Sequence, residues 1–444
     1  ADPYDPNSLD ATDAIASLPA ADVIGRNVTL TANLGFIGSS GNELDVDSDY
    51  TPVADQVGSL TTSSDQNTFI NEVAGDLALA SVTTDEQIAF IAAIGGSIVQ
   101  SIPDLPSILS GKVWLFARDD IGYVDDPILA SVANVEGIAT TGSVYLVTSG
   151  DLTIGGVVGP PNEGEGEDTG GSMPTRDEGS SGMQAGQLIS IESTEILTVT
   201  ENVESGGPTS LQGAKGLNLP QGVVVESLGQ LEFTSQRPAL LGNLSATEVI
   251  VRGTVGDDIV IVKPESSSGL VRIEAREGND QIEVSQWPIK IDAGEGDNTI
   301  IGTSLIHEVV AAPVQGGATV RQSVSVKENF SETPLSQFST ELGQAPIVRI
   351  SDERFELIDG ILRLKVNAHL QHPQDNELEV TVTFTDAIDA SRSATHLVTM
   401  FTEANQNIWT NAVFNEDVNR SGEASALDAL VIINQLNRQE DSSL

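Results

Sequence analysis

The stretch whose spacing points most sharply to chemistry is WTNAVFNEDVNRSGEASALDALVIINQLN, residues 409–437. Asp417, Asn419 and Ser421 stand at alternate positions, Gly422 follows, and Asp428 comes eleven residues after Asp417. Calcium takes six to eight oxygens from a flexible loop with a sharp turn at its sixth position. On that template Asp417, Asn419 and Ser421 offer side-chain oxygens, and Gly422 permits the turn. Glu423 offers its backbone carbonyl, Ser425 is placed to hold a water, and Asp428 closes the loop. A helix is expected to begin inside the loop, with Leu427, Leu430, Val431 and Asn434 on one face. The plainer alternative is a capped helix after an Asn- and Gly-rich turn.

A second set of oxygens recurs in residues 248–302. The corners are Gly256-Asp257-Asp258, Gly278-Asn279-Asp280 and Gly296-Asp297-Asn298, each leading to an apolar residue: Val260, Ile282 or Ile300. The last two corners are 18 residues apart and the first two are 22 apart. Either these residues clamp calcium between stacked turns or they are simply the turn residues of a β-coil. The pattern resembles a degenerate RTX-type calcium repeat, a coil with a nine-residue period. That resemblance implies Ca2+ at Asp257, Asp258, Asn279, Asp280, Asp297 and Asn298, although Asn298 stands where the family has Asp. The 409–437 stretch resembles a dockerin type I repeat, whose loop closes on Asp. The resemblance implies a cohesin-like partner, but only one repeat is visible, and Ser421 stands where Asp is usual.

Other chemistry finds little footing. His369 and His372 flank a Pro-containing turn with no third ligand nearby. There is no nucleophile elbow, phosphate loop or dinucleotide fingerprint. Asp119-Asp120 and Asp125-Asp126 flank Tyr123 and could supply an acid–base pair on a β-helix. Asp-rich turns are common throughout the chain, however, and the expectation is that it is not an enzyme.

Composition frames these sites. The chain has 444 residues, with 20 Lys+Arg against 65 Asp+Glu, for a net charge of −45. Such a surface repels nucleic acid and anionic membranes and favours divalent cations. There is no Cys, which excludes disulfides and thiolate chemistry. No apolar run is long enough to span a bilayer as a helix, so direct membrane insertion is not expected. The chain starts at Ala1 without a signal peptide, as expected for a processed product or a fragment. Aromatic residues are 4 % and Gly is abundant at 42 residues, a mix suited to short strands joined by tight turns.

The elements that must position the sites read as all-β. Residues 1–158 contain an internal repeat: VTLTANLGFIGSSGNELDV from Val28 matches VWLFARDDIGYVDDPILAS from Val113. Ile37-Gly38 aligns with Ile121-Gly122, Leu44 with Ile128, and Gly75-Asp76-Leu77 with Gly150-Asp151-Leu152. A period of about 75–85 residues of alternating strands predicts a parallel β-solenoid in which the two copies stack in equivalent positions. The phrase resembles β-helical repeats of filamentous-haemagglutinin-type adhesins. Residues 159–182 are a low-complexity acidic linker or loop, and 183–247 are β-rich and open to reading as more solenoid. Residues 248–322 carry the Gly–acid coil. Residues 323–402 show strands at regular spacing that suit a β-sandwich and resemble a cadherin-like repeat, with Glu328, Asp386 and Asp389 where that family places calcium ligands. Residues 403–444 hold the small helical calcium-loop module.

Together these readings predict a non-catalytic structural or adhesive segment of a large secreted bacterial cell-surface protein, stabilised by calcium. Its partners would be other surface proteins, copies of itself or surface polysaccharide. The alternative is a carbohydrate-active or carbohydrate-binding β-helix protein.

Overall fold

The computed structural model describes residues 21–40, 42–48, 58–157, 182–285, 289–302, 306–310, 314–315, 318–327, 332–334, 346–366, 368, 370 and 375–403. Among these residues there are strands and no helix. The chain divides into two compact units. One comprises Ala1–Val251 and Pro264–Gly269, the other Arg252–Lys263 and Leu270–Leu444.

The first unit is a parallel β-solenoid. Its strands are short because Gly, Asn and Asp interrupt the apolar alternation every few residues. A chain that turns at each interruption comes back in the same direction, so successive turns pair in parallel. Ile189–Ser193 pairs with Thr209–Gly213, which pairs with Gln230–Ser235. On these turns stacked neighbours are 20 to 22 residues apart in sequence. Alternation sends Ile189, Ile191, Leu211, Leu231 and Phe233 inside, where all are buried. Three of the large rings share one column. Phe69, Phe90 and Trp114 are register partners on consecutive turns, with Phe69 and Phe90 stacked at 4.6 Å between centroids.

The internal repeat is real at the level of local structure. Ile37 and Ile121 each form a parallel bridge, and the following Gly38 and Gly122 both have left-handed φ, of 63° and 69°. Reciprocal backbone bonds close the next turn in both copies, between Ser39 and Asn42 and between Tyr123 and Asp126. The copies do not stack, which corrects the expectation of equivalent positions. Asn27–Ala32 belongs to one sheet of the coil, whereas Lys112–Ala117 belongs to the other. The repeat spans an odd number of half-turns, so it returns on the opposite face.

The acidic stretch after Val157 interrupts a single turn. Leu152–Ile154 and Met183–Ala185 both pair with the strand Asn134–Ala139, the first with its beginning and the second with its end. From there the coil continues: Val144–Thr148 pairs in full with Ile189–Ser193.

The second unit also begins as a parallel coil. Ile259–Val262, Gln281–Val284 and Asp297–Gly302 form one stack, and Leu270–Glu274, Ile289–Asp292 and Ile306–Val310 form another. Asp297–Gly302 then pairs in parallel with Ala318–Lys327, which pairs along its length with Arg392–Glu403. Glu377–Thr385 and Ile347–Ile350 extend that sheet antiparallel. A separate sheet of Glu332–Pro334, Ile361–Leu364 and Phe355–Ile358 is antiparallel throughout. Phe355, Leu362, Val380, Val382, Val398 and Met400 belong to one buried cluster drawn from both sheets. The strand Ala318–Lys327 crosses the boundary expected at residue 323, because its first half completes the coil.

Candidate metal centre

The three Gly–acid corners stack on one another in the second unit. Their glycines have φ of 130°, 146° and 127° at Gly256, Gly278 and Gly296. A Cβ on Gly278 would lie 2.3 Å from the Gly256 carbonyl oxygen, so the stack requires glycine.

Two columns of side chains rise from these corners. In the outer column the Asn279 backbone N–H donates to Asp257 Oδ1 at 2.8 Å, and the Asp297 N–H donates to Asn279 Oδ1 at 2.9 Å. Asp297 is also paired with Arg321. In the inner column the direction reverses. The Asp258 N–H donates to Asp280 Oδ1 at 2.9 Å, and the Asp280 N–H donates to Asn298 Oδ1 at 2.8 Å. Asp258, Asp280 and Asn298 are 2 %, 1 % and 0 % exposed. Asp258 is held further by Thr254, whose N–H and hydroxyl donate to its two oxygens. Asn298 Nδ2 donates to the Ala293 carbonyl at 2.6 Å. Asp280 Oδ2 is buried without a hydrogen-bond partner.

Burial pushes the Asp280 carboxyl up to about 6, and the nearby Asp258 and Asp257 charges add to the effect against the Asp258 N–H bond. Burial also raises Asp258, opposed mainly by the Thr254 bonds. The inner oxygens are thus committed largely to backbone N–H groups that a tight corner would otherwise leave orphaned. Among the described residues no group of three or more His, Cys, Asp or Glu is arranged to hold a metal.

The remaining candidates separate. Asp386 Oδ1 accepts from the N–H groups of Ile388 and Asp389, and Asp389 Oδ1 accepts from the N–H and hydroxyl of Ser391. Each is spent within its own turn. Glu328, and Asp417, Asn419, Ser421, Glu423, Ser425 and Asp428 of the hand, lie outside the described residues. So do His369 and His372. Asp120 Oδ1 accepts from Ser143 N–H at 2.7 Å, and Asp119 accepts from the Thr141 hydroxyl at 2.9 Å, so this pair also ties one turn to the next.

That capping device runs along the first unit too. Asn67, Asp76, Asp151 and Asn202 each accept from a backbone N–H one turn on, at Ile88, Ser97, Ile196 and Val224. The signal was present in the sequence as Asx residues at corners, but spacing alone cannot distinguish capping from ligation. Glu72 was missed altogether. It is fully buried, its carboxylate accepts from the Ser48 N–H and hydroxyl, and burial pushes it up to about 7 despite those bonds. No family model, curated protein or solved structure matches the chain.

Proposed function

We propose that this chain is a non-catalytic scaffold or adhesive segment of a large secreted bacterial surface protein. The observation that carries this reading is the continuous hydrogen bonding of the second unit. Its last coil strand is extended by Ala318–Lys327, and that strand by Arg392–Glu403. Tension applied along such a sheet is shared by many backbone bonds, because one strand, Ala318–Lys327, pairs with both coil and module. Side chains at the corners add further ties from turn to turn. The module is best read as the cadherin-like sandwich of the sequence, followed by the dockerin-like hand.

Calcium is proposed for the hand, where Asp417, Asn419, Ser421 and Asp428 have the spacing of a loop site. Extracellular sites of this type bind at about 10⁻⁴–10⁻³ M. A cohesin-like partner, or a copy of the chain, would engage there. The test is melting of the full chain in millimolar calcium and in excess chelator. Chelation should lower a transition that Asp417→Ala also removes from the calcium response. Superimposable melting curves would refute the calcium part. Recovery of the native protein from cytosol rather than the cell surface would refute the localisation.

A further inference from the structure

We infer that the first unit carries a binding groove for a neutral glycan, beginning at Tyr145 and running along the coil axis. Tyr145, Ser190, Ser210 and Glu232 are register partners on four consecutive turns and form one outward column. Neighbouring turns are about 4.8 Å apart. Two small residues between two large ones hollow the sheet face. The result is a cavity of about 260 Å³, walled on one side by Leu188 and Pro208. Tyr145, Leu188, Ser190, Ser210 and Glu232 are half-buried and Pro208 is exposed, so the ring of Tyr145 is partly covered yet open to a ligand.

The chemistry of the groove selects among ligand classes. The hydroxyls of Tyr145, Ser190 and Ser210 have no hydrogen-bond partner among the described residues. Leu188, Pro208 and the tyrosine ring supply apolar surface beside them. Apolar walls with a few fixed polar groups are the usual make-up of a small-ligand site. A sugar has both properties in one ring: apolar faces that stack on an aromatic and hydroxyls around the edge. An extended peptide would want free strand edges, but Ile189–Ser193 and Thr209–Gly213 are paired on both sides. Polyanions are disfavoured by a chain of net charge −45. What remains is an uncharged saccharide chain, lying across the serines with one ring against Tyr145.

This goes beyond the scaffold reading and does not depend on its calcium site. The full chain is run through native gels containing galactomannan, xylan or a β-glucan, with polygalacturonate as the anionic control. The runs are made in excess chelator and repeated in calcium. At least one neutral polymer should retard the wild type. Tyr145→Ala should weaken retardation at least tenfold, and Ser210→Phe, which fills the floor, should abolish it. Melting curves check that both variants are folded, and Tyr145→Ala alone decides if Ser210→Phe is not. The proposal is overturned if no neutral polymer retards the wild type, if Tyr145→Ala binds as well as wild type, or if polygalacturonate retards it as strongly. Each of those results leaves the scaffold reading to be judged by its own calcium test.

Discussion

Asp280 and Asn298 are near-isosteric side chains at equivalent corners, and only one is fully bonded. Asn298 accepts from the turn before and donates to Ala293, whereas the second oxygen of Asp280 is buried without a partner. An amide at 280 would have a donor where the carboxylate has none, with the Ala275 carbonyl one turn before that of Ala293. Asp280→Asn is therefore expected to stabilise the second unit above pH 7 by about 1–3 kcal/mol, read by urea unfolding. The sign of the pH dependence follows from the raised value. Asp280 holds its proton more tightly folded than unfolded, so its stabilising contribution is complete below 3.8 and is lost as pH rises through about 6. That difference corresponds to about 3 kcal/mol, and Asp280→Asn should flatten it. A variant that keeps the wild-type pH profile would show that another group is responsible. Glu72 obeys the same sign in the first unit, with a contribution complete below 4.5 and lost through about 7. Glu72→Gln should remove that portion of the melting-temperature decline between pH 4.5 and 8.

At the scale of elements, the coil is governed by its corners. Gly222 and Gly278 both have positive φ, but a Cβ on Gly222 meets nothing within 4 Å, whereas one on Gly278 lies 2.3 Å from a carbonyl oxygen. Gly222→Ala should cost about 1 kcal/mol, the ordinary left-handed penalty. Gly278→Ala should cost about 3 kcal/mol or more, because backbone must move. Equal losses in denaturant titrations would show that the stacked corners are looser than their geometry implies. The strands between corners were legible because apolar alternation sets which side chains turn inward. The face on which each repeat copy lies was not, since that depends on the summed lengths of all intervening turns. Ile37 and Ile121 share a local conformation and belong to opposite sheets for this reason.

At the scale of the whole molecule, the open edge of a parallel coil is a liability, because unpaired N–H and C=O groups recruit other chains. Ala318–Lys327 covers the edge of Asp297–Gly302 in the second unit. A chain ending after Gly302 should expose it and associate, as measured by sedimentation against the full chain. A truncated protein that stays monomeric would mean the edge is blunted in some other way. The sheet also runs across the change of texture in the sequence, since Ala318–Lys327 pairs on both sides of residue 323. Composition changes texture near residue 323, but a strand has no reason to stop there when both of its halves find partners.

The sequence by itself determined the all-β character of the described residues, a parallel coil with Gly and Asx corners, and the kinship of the Ile37 and Ile121 segments. Those features follow from local rules: alternation, turn residues and backbone freedom. Tertiary structure alone decided that residues on either side of the acidic stretch share one turn, that Glu72 is buried, and that corner Asp and Asn side chains cap backbone. It also brought Tyr145 into line with Ser190 and Ser210. Those relations join residues about twenty or more positions apart. They depend on register, and register is fixed only when every turn of the coil has found its length.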